Sequence, residues 1–385
     1  MKKLITFSVT GFLILIFICL SENTYSYPRF AAYSGNMCID CHVNPTGGGM
    51  RNGGGLKFAE KKLSMEMFSK IAGKTKFSPK LTKDISIGGD VRVAQVDNEV
   101  SEGVSNYNSF LAMQGDLYFN VKLNKILNVY ATSGIQIPNI ETEYEVFGMI
   151  SNLPANTYFK VGRFRPAYGT RIVEHRAYQR SLLLYTPYDA NTGFELGINP
   201  DWFDMNIGLY NVSRPNYNEF TGSDPHKMFI GNTNVNFAFK KFDFNFNMGG
   251  SFLNDPYNVR DSTFTETITK LKQAYGVNTR LGFLNRIALL GEVNFEENKS
   301  DFPLRRSFYG FGELDFVIIK GLELRTQYEI YDVDRDISGD DIQRISAGFA
   351  AYPFFGFETE VMVRFVTEDP DVKNNEFQWN FHFYF

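Results

Sequence analysis

The chain has 385 residues, with 38 Phe and 21 Tyr against 2 Trp and 3 Cys, and a formal net charge of -4. Beyond Leu20 no segment has the apolar length of a membrane helix, which excludes a helical membrane protein. No basic cluster marks a nucleic-acid surface, and the slight negative balance says little about partners.

Lys2 and Lys3 precede an apolar run from Ile5 to Leu20, and Thr24-Tyr25-Ser26 offers the small residues that a signal peptidase prefers. Residues 1–26 therefore read as a signal peptide, with a mature start near Tyr27. The run is too short and too close to that cleavage site for a membrane anchor. Cys19 lies inside it behind the bulky Ile18, which argues against a lipoprotein site, so Cys19 is expected to be discarded with the signal.

Shortly after the signal comes Cys38-Ile39-Asp40-Cys41-His42. Two thiols three positions apart can add to the two vinyl groups of one haem, and the adjacent imidazole then reaches the iron as proximal ligand. Rival uses of C-x-x-C are a thioredoxin-like redox pair, half a zinc site and a structural disulfide. Zinc would need four ligands, yet the mature chain has two cysteines and no histidine follows His42 at finger-like spacing. A thioredoxin pair would end a strand in a βαβ unit, whereas this motif lies in a glycine-rich stretch. One covalent haem c is the expected cofactor, and it is attached outside the cytoplasm, in agreement with the signal.

Residues 27–82 are expected to form a small haem segment. A unit of about fifty residues rarely buries enough surface without a staple, and covalent haem would be one. The barrel wall described below would supply further burial, which places the segment inside the lumen or at its mouth. Its run Thr46-Gly47-Gly48-Gly49-Met50-Arg51-Asn52-Gly53-Gly54-Gly55 allows two readings, a flexible linker or a backbone that passes closely around a porphyrin edge. A short helix is expected over Leu56 to Ile71, with Leu56, Ala59, Leu63 and Met67 on one face.

For the distal iron ligand Met50 is the first candidate, because the seven residues between it and His42 span roughly 25 Å when extended and can just round the macrocycle. His175, in Glu174-His175-Arg176, is the second, reaching in from an irregular stretch further along. An open or water-ligated position is a third arrangement. Met65 and Met67 have the slack to reach, although a methionine in an apolar stripe is more often core. His226 follows a turn and is expected to face solvent, and His382 is expected to line a lumen. Methionine ligation would raise the potential relative to two histidines.

From about residue 83 to the C-terminus the period is two. Phe377, Trp379, Phe381, Phe383 and Phe385 alternate with Gln378, Asn380, His382 and Tyr384. Leu322-Leu324-Thr326-Tyr328-Ile330 alternates with Glu323, Arg325, Gln327 and Glu329, and Phe357 to Phe365 repeats the pattern. Strands with one charged face fit either a soluble sandwich or a membrane barrel with polar residues lining its lumen. The barrel is favoured by strands of about ten residues, by tight turns such as Lys240-Lys241 and Lys320-Gly321 alternating with longer polar stretches such as Asn254 to Thr267 or Asp332 to Asp340, and by the terminal aromatic strand. The expected fold is all-β: a transmembrane antiparallel β-barrel of about sixteen strands in the bacterial outer membrane, with the haem segment in or at its lumen. Residues 166–190 break the alternation and are expected to form a long loop or an inward fold that narrows the pore.

The layout of signal, single C-x-x-C-H leader and barrel resembles the fused outer-membrane cytochrome–porins of iron-oxidising bacteria. The resemblance is specific at Arg29-Phe30-Ala31, Cys38 to His42 and Gly55-Leu56-Lys57-Phe58. It implies that Cys38 and Cys41 attach the haem, that His42 is the proximal ligand, and that electrons pass between the cell surface and periplasmic carriers. Asn44 to Asn52 departs from that family and looks more like a broader set of cytochrome-bearing outer-membrane proteins, which leaves Fe(II) open as the substrate.

The expected function is an outer-membrane electron conduit whose partners are membrane lipid, an extracellular donor or acceptor, and a periplasmic cytochrome docking at the short-turn mouth. The alternatives are a porin or transporter whose haem segment is a structural plug, and a sleeve for a separate cytochrome. Glu323, Glu358 and Glu360 would attract a cation such as Fe(II) unless they pair with neighbouring arginines. No Ser–His arrangement suggests a hydrolase, and no transferase activity is expected.

Overall fold

The computed structural model describes residues 28–35, 37–73, 77–99, 107–134, 144–172, 176–183, 190–212, 224–260, 267–299, 304–369, 372 and 374–385. Sixteen antiparallel strands close into one barrel in which each strand pairs with its sequence neighbours and β1 (Ile85–Asn98) pairs with β16 (Glu376–Tyr384). Closure leaves no free edge, so the backbone hydrogen bonds are satisfied along the ladder, the condition for a sheet to stand in a bilayer.

The burial pattern is that of a soluble protein turned inside out. In β16 Gln378 is 1% exposed, whereas Trp379 is 39% and Phe383 50% exposed. In β13 (Leu322–Asp332) the buried residues are Glu323, Arg325, Gln327 and Glu329, and the outer face carries Leu324, Thr326 and Tyr328. An aromatic and aliphatic belt of this extent is stable only against lipid, while the charges inside satisfy one another. Arg325, for example, reaches Glu313 (2.7 Å), Asp315 (3.0 Å) and Glu360.

Turns and loops alternate in length around the barrel. β2 (Tyr107–Lys122) and β3 (Leu127–Gly134) are joined by four residues, and β12 (Arg305–Ile319) and β13 by Lys320-Gly321. The long connections lie at the opposite end. One expected loop is in fact strand: Asn254 to Arg260 continues β9 (Phe244–Arg260), pairing in register with β10 (Thr267–Phe283). The two strands extend as a polar hairpin whose ladder holds without an apolar face.

The stretch after β5 (Tyr158–Phe164) folds inward, as the broken alternation suggested. It includes the one-turn helix α4 (Tyr178–Ser181) and reaches the far wall. There Gly169 donates from its backbone to Ser251 (2.8 Å), Thr170 to Glu292 (2.6 Å) and Tyr178 to Glu329 (3.0 Å). The N-terminal segment enters from the short-turn end, where α1 (Pro28–Ser34) lies against β9, β10 and β11 (Ile287–Asn298).

The helix expected over Leu56 to Ile71 is divided. α2 (Gly53–Phe58) continues as a π-helical turn, Ala59–Leu63, and stops where Ser64 becomes extended and donates its hydroxyl to the Ala59 carbonyl at 2.8 Å. α3 (Glu66–Ala72) starts afresh outside the lumen, so Leu56, Ala59 and Leu63 are buried while Met67 is 63% exposed.

Candidate haem site in the lumen

The first anchor of the segment is Arg29, whose side chain is buried against the barrel wall. Its Nη2 donates to the Tyr352 hydroxyl (2.6 Å) and to Glu358 Oε1 (3.1 Å), its Nε lies 3.4 Å from Glu323 Oε2, and Tyr33 donates its hydroxyl to Glu323 at 2.6 Å. The apolar side of α1 is held by Phe30, which packs tilted on Phe58 (5.4 Å between centroids) and edge-on against Tyr352 (5.8 Å). A burial of cation and carboxylates this complete is tolerable only because each charge has several partners.

From α1 the chain rises to a 3-10 turn, Cys38–Asp40, closed by the backbone amides of Cys41 and His42 donating to the Cys38 carbonyl at 3.2 and 3.0 Å. Asp40 Oδ2 accepts from the Met37 amide at 3.2 Å. Both thiols and the imidazole are thus carried on one turn. Asn52 fixes it from the other side. Its Nδ2 donates to the carbonyls of Ile39 (3.0 Å) and His42 (3.2 Å), and its Oδ1 accepts from the amides of Gly54 (2.8 Å) and Gly55 (3.1 Å), capping α2. Both roles of Asn52, cap and tie, come only from the fold.

Between these elements the chain doubles back. His42 pairs with Arg51, the Val43 amide donates to the Met50 carbonyl (3.0 Å), and the Asn52 amide donates to the Cys41 carbonyl (2.6 Å). Gly47, Gly48 and Gly49 take φ of 86°, 75° and 61°, the left-handed region that favours glycine. A Cβ on Gly49 would meet the Tyr130 hydroxyl at 2.4 Å, and one on Gly47 would meet Cys38 Sγ at 3.2 Å. The glycine run is therefore a tight turn pressed between the wall and a thiol, and the flexible-linker reading does not hold for it.

Alternation along this small hairpin puts His42 and Arg51 on one face and Val43 and Met50 on the other. Met50 is 2% exposed in an apolar cluster with Tyr118, Tyr130 and Val43, and its amide donates to Tyr130 at 3.1 Å. The loop folds on itself rather than around a macrocycle, so the structure does not bring the Met50 thioether to the face of His42. His175 lies outside the described residues. Met65 sits against Gly321 at the short-turn mouth, and His226 accompanies Asp224 at the loop end (2.8 Å).

His382 does line the lumen, with both ring nitrogens engaged, Nδ1 with Glu358 (3.0 Å) and Nε2 with Asp90 (2.6 Å). Asp90 also holds Arg51 at 2.9 Å. His382 thereby links the anchor at Arg29 to the anchor at Arg51. Glu323, Glu358 and Glu360 are all paired in these networks, which supports their role as charge partners and leaves no open iron site among them. Among the described residues no group of three or more His, Cys, Asp and Glu is arranged to hold a bare metal ion.

Cys38, His42, Gly47 to Gly49 and Arg51 line one face of a cavity of 1870 Å³, counting the solvent into which it opens. The inward loop supplies Arg165, Tyr168, Thr170 and Arg171 opposite them, and the wall supplies Gln114, Asp116, Glu145 and Arg280. Neither Cys38 nor Cys41 is in a disulfide. Burial raises the Cys38 thiol, while burial and the nearby Arg51 and Arg171 guanidiniums lower His42 to about 4. The imidazole is thus neutral at pH 7, the form that binds a metal.

A covalently held haem needs two thiols and an imidazole presented together, with room at their face. Cys38, Cys41 and His42 follow one another on one turn, with Cys38 and His42 at the cavity and Cys41 buried beside Gly55. His42 Nδ1 and Arg171 Nη2 are buried at the cavity without a hydrogen-bond partner among the described residues. Glycine backbone, where a Cβ would collide, forms the edge. These residues fit the group. Sequence reasoning missed Arg29, Asn52, Arg51 with Asp90, and Arg171. The last contacts Thr46 and Gly47 from a loop more than a hundred residues away, so no local signal reports it.

No protein-family model matches the chain, and no curated protein matches its sequence. Solved structures match in fold. OmpT of Vibrio cholerae superposes with a TM-score of 0.55 at 12% identity, over 80% of this chain and 100% of that one. The outer membrane channel DcaP of Acinetobacter baumannii gives 0.54 at 8% identity, over 80% and 100%. OmpF of Salmonella typhi in complex with daunomycin gives 0.50 at 12% identity, over 78% and 97%. The chain shares the fold of outer-membrane β-barrel porins.

Proposed function

We propose that the chain is an outer-membrane electron conduit in which Cys38 and Cys41 attach one haem c inside the lumen and His42 is its proximal ligand. The observation that carries this is the C-x-x-C-H turn itself, held rigid in the lumen with Cys38 and His42 lining one cavity. When bound, the group supplies a reversible one-electron centre. The protein's own residues do the rest. Asn52 and Asp40 keep the thiols and imidazole on one turn, Arg29 and Arg51 tie that turn to the wall, and Tyr168 and Arg171 cover the cavity from the loop side. An extracellular donor or acceptor would approach from the long loops and a periplasmic cytochrome from the short turns, with lipid around the apolar belt.

A second reading is favoured by the barrel fold. It supports a channel or transporter role, as the description of the Acinetobacter protein as an outer membrane channel illustrates, and the segment would then be a structural plug. The two are separated by purifying the exported protein in detergent. Haem that stays with the denatured chain, disappears in Cys38→Ala/Cys41→Ala and is reduced by dithionite supports the conduit. A haem-free protein that passes solutes across liposomes refutes it. Anaerobic mixing with Fe(II) then asks whether iron is the donor: prompt growth of the reduced band supports it, and a haem that answers only to dithionite removes it.

A further inference from the structure

The short-turn end is charged against the sign of the whole chain. Lys57, Lys61 and Lys62 are exposed on the outer side of α2 and its π-helical turn, opposite the buried Leu56, Phe58, Ala59 and Leu63. Lys70 is exposed on α3, which the chain fixes at the same mouth through the Met65 amide donating to the Tyr352 carbonyl at 3.0 Å. Around them the tight turns add Lys125, Lys240, Lys241, Arg286 and Lys320, all exposed. The exposed carboxylates at this end are fewer: Glu60, Glu66, Asp84, Asp201 and Asp243. Among the described residues none of Lys57, Lys61, Lys62 and Lys70 has a carboxylate within ion-pair distance, although the chain as a whole carries -4.

On the same segment α3 carries an exposed apolar ridge, with Met67 63% and Ile71 79% exposed one helical turn apart. The ridge follows directly on Met65, which is tied to Tyr352 at the short-turn end, so exposed apolar and cationic side chains lie on one short stretch of chain. Apolar and charged groups side by side are what a protein interface presents.

We infer that the short-turn mouth is a docking face for a soluble redox protein with an acidic surface, steered by Lys57, Lys61, Lys62 and Lys70 and seated on Met67 and Ile71. The redox part rests on the conduit reading, whereas the charge and shape of the face do not. Unpaired lysines on one mouth raise association rates with an anionic partner by 10 to 10³-fold at low salt, and the advantage falls as salt screens it.

The test uses the full chain in detergent micelles, with flavodoxin as the acidic redox probe, lysozyme as a basic control, and phosphatidylglycerol vesicles as a lipid control. Flavodoxin is expected to bind and lysozyme not. Its association rate should fall at least tenfold in Lys57→Glu/Lys61→Glu/Lys62→Glu/Lys70→Glu, and in wild type on raising the salt. The corresponding alanine variant, expected to lie in between, serves if charge reversal prevents insertion. Met67→Ser/Ile71→Ser should speed dissociation. Equal binding of the two proteins, an association rate unmoved by charge reversal, or an effect confined to vesicles overturns the proposal. Reduced flavodoxin, giving one electron to the ferric haem as its hydroquinone becomes semiquinone, should bring up the c-type band in wild type and more slowly in the charge-reversed variant. A protein without a reducible haem that still binds flavodoxin in this pattern would refute the conduit and leave the docking face standing.

Discussion

Arg29→Met should release the N-terminal segment from the wall while leaving the barrel intact. The side chain is nearly isosteric in length but removes the cation that faces Glu323 and Glu358 and that donates to the Tyr352 hydroxyl. All of these groups are buried, so two carboxylates lose their counter-charge without gaining water. Breaking such a pair costs roughly 3–5 kcal/mol, and at about 1.4 kcal/mol per factor of ten this corresponds to a population of undocked α1 roughly 10² to 4 × 10³-fold higher. Hydrogen exchange read by mass spectrometry follows that population directly. Amides of residues 28–34 should lose protection by about that factor, and those of β13 and β15 (Phe357–Thr367) should not change. Unchanged protection of α1 would show that the ion network does not hold the segment, and would refute the anchoring scheme.

Three further outcomes follow from the hairpin. Met50→Leu should leave the visible spectrum of the oxidised haem unchanged, because Met50 packs on Tyr118 and Tyr130 away from His42; loss of a sulfur-to-iron charge-transfer band would show the thioether on the iron. Asn52→Ala removes both the helix cap and the tie to the turn, so it should cost about 0.5–2 kcal/mol and lower the fraction of chains carrying covalent haem, read by haem staining against total protein. Gly49→Ala should disrupt the turn through the 2.4 Å approach to the Tyr130 hydroxyl, and Gly49→Ala/Tyr130→Phe should recover part of the thermal stability, the positive φ accounting for the rest; no recovery would place the cost entirely in the backbone.

The barrel was legible because its code is local. Phe377 to Phe385 alternate with polar residues whichever strand they pair with, and the sheet needs nothing more than that period to decide which face meets lipid. The alternation of short and long connections and the break after β5 could be read in the same way. Where periodicity was extended across a break it failed: Met67 continues the spacing of Leu56, Ala59 and Leu63, but Ser64 bonds back to Ala59 and redirects the chain. Asn254 to Arg260 looked like loop because it lacks an apolar face, yet a hairpin beyond the belt needs only its ladder.

The C-x-x-C-H motif was equally plain, but what surrounds it was not, since Arg29 and Glu358 lie 329 residues apart and Lys160 and Asn44 lie 116 apart. Side chains that meet across a lumen share no sequence signal with their partners. The loop-length estimate for Met50 illustrates the difficulty: it measured how far the chain can reach, whereas the glycine turn decides where it goes.

The cost of the plug bears on which function the lumen serves. A diffusion channel gains nothing from burying Arg29, Arg51 and His382 with their carboxylates, because every side chain so placed takes space and counter-charge from the solute path. An electron path has the opposite requirement. It needs a centre held at fixed depth, dry on several sides, with reach to both mouths, and it loses nothing when solutes are kept out. The two anchors, joined through His382, hold the C-x-x-C-H turn from below and the inward loop meets it from above through Arg171. The proposed conduit and a transporter with a structural plug both need such a fixed segment, which makes solute flux in Arg29→Met a discriminating measurement. If the plug is there to fix a redox centre, its release should raise flux and slow electron transfer together, whereas a gate for solutes would raise flux and leave any haem reduction rate where it was.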